Sequence, residues 1–234
     1  MLVIAVPAQG GPLINLVQNG SFTTTSLPSP GGYICQAGST CVSNVAYWSS
    51  TCNAGGCGTG ATAASLLYPG TNGSAFNCCG LQGTITDSPD GGNFLAIDGD
   101  TNYGASISQL IGGLTIGQNY FLSFYQGAAQ QNGTSGPTTE RWKVTFGSDT
   151  VLSTKMINPD GGVQPWNLQS FTFKATSTSQ LLTFLAVGTP NGAPPVVLLD
   201  GVKIVAPEPG TFAFLAGGIV ALIAARKAGK SRAR

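Results

Sequence analysis

The sequence predicts an all-β chain, an antiparallel β-sandwich followed by a single C-terminal transmembrane helix. Three observations carry this. Apolar residues before position 206 recur with period two or in short solid runs, not at helical spacing. Thirty-four glycines and 14 prolines punctuate the chain, so the runs stay short and end in turns. An uncharged apolar stretch then runs from Gly210 to Ala225, and no earlier segment matches it.

The elements follow in order. Leu2 to Val6 and Ala8-Gln9-Gly10 have the small-residue end of a secretory signal peptide, but no basic start and too short an apolar segment. Residues 1–10 are therefore read as a signal-peptide remnant, with a first strand as the other reading. Residues 11–205 form the β-sandwich ectodomain. Within it, residues 28–92 hold all six cysteines, Cys35, Cys41, Cys52, Cys57, Cys78 and Cys79. An even, clustered set in an exported chain reads as a disulfide-stapled insertion. Its connectivity stays open. With no histidine in the chain and no paired C-x₂-C spacing, zinc is disfavoured and a thiol nucleophile has no activating base.

Strands are expected where Trp142, Val144 and Phe146 alternate with Lys143 and Thr145, where Phe171, Phe173 and Ala175 alternate with Thr172 and Lys174, and where Val202 and Ile204 flank Lys203. Tyr120 to Tyr125 and Leu181 to Val187 are apolar on both sides and read as central strands, buried on both faces. Phe94 to Ile97, Ile107 to Ile111 and Val196 to Leu199 each run into Asp-Gly or Gly-Gly turns. Short strands at this density favour two packed antiparallel sheets.

Charge separates the ends. Residues 1–206 hold five basic residues against eight carboxylates, a net of −3, whereas Arg226, Lys227, Lys230, Arg232 and Arg234 close the chain. Only 8% of residues are charged, against about 25% in an average domain. No nucleic-acid footprint is present. The surface is left to Gly, Ser, Thr, Asn and Gln, which suits neutral ligands.

Chemistry is sparse. Without histidine no Ser-His-Asp triad exists, and no phrase surrounds a pair of carboxylates as glycoside hydrolysis needs. The chain is expected not to be an enzyme. Asp98, Asp100 and Asp200 are candidate oxygen ligands for a structural calcium; the competing reading of Asp98-Gly99-Asp100 is a turn in which each carboxylate caps nearby amides. Asp87, Asp90 and Asp160 are read as turn residues. Sugar rings stack on aromatic faces, and Tyr33, Tyr47, Trp48 and Tyr103 lie in loop-like surroundings, with Gln126, Gln130, Gln131 and Asn132 placed to line a rim. Trp142 and Trp166 are expected in the core. Asn19, Asn72 and Asn132 begin sequons but sit in Asn-Gly turn signals.

The tail comprises residues 206–234. Pro207-Glu208-Pro209 breaks the chain, residues 210–225 would span about 24 Å as a helix, and the basic cluster 226–234 orients it by the positive-inside rule. This order of tripeptide, Gly/Ala/Leu/Ile helix and basic terminus resembles the PEP-CTERM sorting signal of exported bacterial proteins. The resemblance implies a membrane cysteine transpeptidase, an exosortase, as partner, transient inner-membrane insertion and processing near Pro207. Leu16-Val17-Gln18-Asn19-Gly20-Ser21-Phe22, Ile107-Ser108-Gln109-Leu110, Gly117 to Phe124 and Leu198-Leu199-Asp200-Gly201-Val202 resemble successive strands of galactose-binding-like jelly rolls. That resemblance implies carbohydrate binding and a structural calcium, although Thr23 stands where the family has an acid. Together they imply a cell-surface or matrix protein, non-catalytic, associated with exopolysaccharide. A purely structural envelope protein and a polysaccharide-modifying enzyme are the rivals.

Overall fold

The structure is a computed structural model that describes residues 14–26, 32–35, 45–52, 62–69 and 80–207, giving backbone pairing without side-chain surroundings for 32–35 and 62–69. Residues 1–10, Cys41, Cys57, Cys78, Cys79, Asn72, Glu208, Pro209, the apolar stretch 210–225 and the basic cluster lie outside the described residues. So do the side chains of Tyr33, Cys35 and Cys52. Among the described residues no helix is long and apolar enough to cross a membrane.

Twelve strands form the described fold: β1 (Gly32–Cys35), β2 (Ser49–Cys52), β3 (Thr62–Pro69), β4 (Asn93–Asp98), β5 (Ala105–Ile111), β6 (Asn119–Gln130), β7 (Thr138–Phe146), β8 (Asp149–Leu152), β9 (Met156–Asn158), β10 (Gln164–Lys174), β11 (Gln180–Thr189) and β12 (Pro195–Val205). They build two antiparallel sheets. One has the order β1-β3-β4-β12-β6-β10, the other β2-β5-β11-β7-β8, with β9 also pairing β7. The described residues form an all-β antiparallel sandwich. The cysteine-bearing stretch contributes β1, β2 and β3 to both sheets, more strand than its Gly- and Ser-rich composition announces.

Period two places the core. On β7, Thr138, Glu140, Trp142, Val144 and Phe146 are buried while Lys143 is exposed. Facing them on β6 are Leu122, Phe124 and the inward residues beyond. Phe184 meets Phe124 edge-on at 4.9 Å and Trp142 at 5.8 Å; each such pair adds about 0.5–1.5 kcal/mol to burial. The Trp142 indole N–H donates to the Leu198 carbonyl at 3.0 Å, a bond from one sheet to the other.

Main-chain bonds also join the two sheets at both ends. At one end Gly99 N–H donates to Pro195 O of β12 at 2.8 Å and its carbonyl accepts from Gly188 of β11 at 2.9 Å. A Cβ at Gly99 would lie 2.6 Å from Gly188 N, so the stitch requires glycine. At the other end the loops 112–118 and 175–179 bond to each other through Leu114 to Thr178, Gly117 to Ala175 and Ala175 to Gln118.

The expected opening strand at Leu16–Phe22 is instead a turn held against β12. Asn19 and Phe22 sit at φ 53° and 52°. The Asn19 side chain bonds Thr24 and Ala46, which Asn supports better than most residues at positive φ. Gly20 O accepts from Val202 N–H at 3.1 Å, and a Cβ on Gly20 would lie 2.1 Å from Val202 O. The turn reading of that sequon therefore holds.

Candidate functional site

The runs expected to be buried on both faces are not. In β6 the outward residues are Phe121, Ser123 and Tyr125; Phe121 is 41% exposed and Tyr125 half-buried. Register extends them into rows across β10 and β12. Phe121 lies between Thr172 and Val205, Ser123 between Ser170 and Lys203, and Tyr125 between Leu168 and Asp200. Leu168 is 58% exposed. A bulge in β12 between Asp200 and Lys203 sits beside Tyr125, and Gly201 takes φ +60° there. The result is an open three-strand face with two aromatics four residues apart on β6, roughly 13 Å along the strand, and hydroxyls between them.

One end of this face is covered. Phe94, Ala96, Ala129, Val196 and Leu198 form a second apolar cluster with Leu81 and Ile85, and Trp166 packs on it. Trp166 meets Phe94 edge-on at 5.5 Å and donates to Thr86 O at 2.8 Å. It therefore belongs to this outer cluster and is half-buried, while Trp142 is core as expected. Next to the cluster, Asp90 accepts from Lys203 Nζ at 2.6 Å and from the Ser21 hydroxyl. Burial would raise the Asp90 carboxyl, but the Lys203 ammonium and Ser21 outweigh it and hold it below the ordinary value; Lys203 is raised by the same contact.

The structure separates the aromatics singled out from sequence. Trp48 is 1% exposed, meets Phe22 at 5.3 Å with the rings tilted by 51°, and donates to Asn19 O at 2.9 Å. It is core, and the expectation that it meets a ligand is corrected: the turn at Asn19 consumes its one polar atom. Tyr47 and Tyr103 are 62% and 48% exposed, but Ser49 pairs Ser108 and Cys52 pairs Ala105. Tyr47 thus lies toward the Leu110 end of β5 and Tyr103 beyond its start, so they share no surface. Gln126 and Gln130 turn inward and are fully buried, so they line no rim. Gln131 and Asn132 do lie in the loop after β6, tied by Leu81↔Gln131 and by Asn132 N–H to Gly80 O.

The aspartates do not converge either. Among the described residues no group of three or more His, Cys, Asp or Glu stands together. Asp98 pairs Val196 and Asp200 pairs Tyr125, which sets them four residues apart on β12, roughly 13 Å. Asp98 caps Asp100 N–H at 2.8 Å; Asp100 caps Asn102 N–H at 2.7 Å and Gly192 N–H at 2.6 Å. The turn reading wins for this pair. Burial pushes the Asp98 carboxyl up to about 6.

Asp200 is fully buried and neither carboxylate oxygen makes a well-formed hydrogen bond. Burial pushes it up to about 7, with the Ser88 hydroxyl and Gly201 amide offsetting a part. The set does not suit the calcium that the jelly-roll resemblance implies. Thr23 replaces the family acid, and the remaining carboxylate, Asp90, is already neutralised by Lys203.

Fold and site together define a β-sandwich with an open, aromatic-bearing outer sheet face. No protein-family model matches this sequence and no curated protein matches it. Among solved structures it is similar to TmCBM61, determined in complex with beta-1,4-galactotriose, at 14% identity and TM-score 0.44, covering 83% of this chain and 99% of that one. A CBM4 structure matches at 15% identity and TM-score 0.34 over 81% and 99% of the two chains. The enzymatically active domain of bacteriophage CBA120 tailspike protein 4 matches at 13% and 0.41, with 83% of this chain against 22% of that one. At these scores the likenesses are loose.

Proposed function

We propose that this chain is an exported, non-catalytic protein that holds neutral polysaccharide on the outer face of its six-stranded sheet. The observation that supports the reading is the open row of Phe121, Ser123 and Tyr125 flanked by Leu168, Ser170 and Lys203. Aromatic faces stack on sugar C–H surfaces, hydroxyls and the Lys203 ammonium bond sugar oxygens, and a flat face admits an extended polymer where a deep cleft would not. The scarcity of charge, 8% of residues, fits an uncharged ligand. In this reading the fold is a galactose-binding-like jelly roll. The tail from Pro207 onward inserts the protein in the inner membrane until an exosortase-type enzyme processes it for the envelope or the matrix.

The test is binding of the oxidised protein to the producing cell's own exopolysaccharide, compared with Phe121→Ala and Tyr125→Ala. Each substitution should weaken binding about tenfold, the scale of one aromatic anchor, with the melting temperature little changed because both side chains face outward. No binding by the parent protein leaves the purely structural envelope role. Full binding by the double variant removes this face from the account. Mass spectrometry of protein recovered from its host reads the tail separately: a cut near Pro207 is expected, and an intact basic terminus on the mature protein refutes it.

A further inference from the structure

Open apolar side chains gather at the end of the sandwich where β12 runs out. β12 stops at Val205, opposite Phe121 near the start of β6, and Lys174, the last residue of β10, pairs Asn119. The loops 112–118 and 175–179 close this end, joining β5 to β6 and β10 to β11. Ile116 lies in the first loop. Leu110 and Leu181 are register partners on the outward face of β5 and β11, one position before the loops. Tyr47 is level with them, two residues before Ser49, which pairs Ser108. Ile14 lies beyond Leu16, whose N–H donates to Ile204 O at 2.9 Å; the segment runs antiparallel to β12, since Gly20 further on meets Val202. These five side chains are 49% to 76% exposed. Scattered singly they would need no explanation, but collected at one end they mark a contact surface.

Charge is distributed to match. The loops 112–118 and 175–179 contain no charged residue, and Lys174 stands exposed beside them. Asp149, opposite Phe146, is at the margin of this end. The other end carries Asp98, which pairs Val196 at the start of β12, Asp100, and Asp160, which accepts from Gly136 N–H in the loop after β6. An anionic surface would thus meet the end poor in carboxylates.

The sequence limits how far this end can stand from a membrane. Ala206 to Pro209 alone separate Val205 from the apolar stretch that begins at Gly210. From Val205 to Gly210 the chain reaches at most about 18 Å when fully extended. The stretch itself would cover about 24 Å as a helix against roughly 30 Å of hydrocarbon, so its start is drawn inward and the reach shortens. The headgroup layer takes a further 5–8 Å, roughly, of what remains. Little space is left for water between the sandwich and the lipid.

We propose that this end, through Ile14, Tyr47, Leu110, Ile116, Leu181 and Lys174, rests in the headgroup layer of a bilayer while the tail is inserted. The inference rests on the tail reading of the proposed function and not on the polysaccharide face. Apolar side chains on such a surface enter the acyl boundary by about 5–10 Å. The Tyr47 ring suits the interface, and the Lys174 ammonium suits lipid phosphate. The contact would hold Pro207 at the membrane surface, within reach of an enzyme embedded there.

The experiment uses the full chain in vesicles of phosphatidylethanolamine and phosphatidylglycerol whose acyl chains are brominated near the headgroup. Flotation with the vesicles after an alkaline wash reports insertion of the tail. Quenching of an introduced indole reports the end of the sandwich. Ile116→Trp should lose most of its added fluorescence to the bromines, whereas Ser135→Trp, in the loop after β6 at the other end, should keep it. Leu110→Asp with Leu181→Asp, added to Ile116→Trp, should relieve the quenching and leave flotation unchanged; if that combination does not fold, Ile14→Asp is read in the same way. Flotation with an unquenched indole in Ile116→Trp, equal quenching in Ile116→Trp and Ser135→Trp, or quenching that survives the aspartates would overturn the proposal and leave the tail reading standing. A concentration-dependent dimer in the unquenched sample would assign the surface to a second copy instead, and also overturn it. Loss of flotation in the parent would remove the tail reading and this contact together.

Discussion

Replacing Trp142 by Phe tests how the two sheets are held together. The change keeps an aromatic ring against Phe184 but deletes the indole N–H that bonds Leu198 O at 3.0 Å. Trp142 is fully buried, so no water enters to replace the bond. The lost bond with its stranded carbonyl costs about 1–3 kcal/mol, and the void left by shrinking indole to phenyl adds about 1 kcal/mol. The sum is about 2–4 kcal/mol, or roughly 5–15 °C in melting temperature for a domain of this size. Urea unfolding gives the number directly, provided the slope with denaturant stays unchanged. The control is Trp166→Phe: its bond to Thr86 O is solvent-exposed, so the same deletion should cost under about 1 kcal/mol. Equal losses in the two variants would refute the claim that burial between the sheets makes the Trp142 bond matter.

Other outcomes follow from named groups. Asp200, raised by burial to about 7, binds its proton more tightly folded than unfolded. Its share of stability is therefore full below pH 4 and falls as pH rises toward 7, by up to about 3–4 kcal/mol; Asp98, raised to about 6, adds in the same direction. Urea midpoints at pH 5 and pH 8 should show the fall, and Asp200→Asn should reduce it, leaving the part due to Asp98 and to Glu140, which burial raises to about 7. Asp90 acts oppositely, its lowered carboxyl giving stability that is lost below pH 4, but at an exposed pair the amount is small. Gly20→Ala drives a Cβ to 2.1 Å from Val202 O and should cost more than about 3 kcal/mol, read as loss of soluble protein or of melting temperature. Gly91→Ala, with φ +76° and nothing within 4 Å, should cost only about 1 kcal/mol, the strain of the left-handed backbone alone.

How much of this was legible depends on the element. The strands β7, β10 and β12 declare themselves because Lys143, Lys174 and Lys203 interrupt apolar neighbours at period two, and the structure puts those lysines outside. The strands β2, β8 and β9 hold three or four residues each, too few for a period to form. The opening phrase misleads because Asn19-Gly20 was strong as a turn signal while Leu16, Val17 and Phe22 gave it the apolar look of a strand. Tyr47 and Trp48 are adjacent in sequence, yet one is open and the other core. Only the positive φ of 70° at Tyr47 and the Asn19 turn decide between them, and neither is written in local composition. Phe121 and Tyr125 were hidden by their own hydrophobicity: an outward aromatic makes a one-sided strand resemble a central one. Glu140, buried on the inward face of β7, carries no signature at all, since Thr-Glu-Arg-Trp reads as an ordinary solvated turn into a strand.

The stitches at the two ends of the sandwich limit how the molecule can come apart. A pair of sheets glued only by side chains can swing open like book covers from whichever end is weaker. Here Gly99 locks one margin and the bonded loops at 112–118 and 175–179 lock the other, so neither margin yields without breaking main-chain links. Amide protons deep in both layers should then exchange with solvent at one shared, slow rate, governed by wholesale unfolding and not by partial opening of either layer. That leaves proteases few transient entry points into its interior.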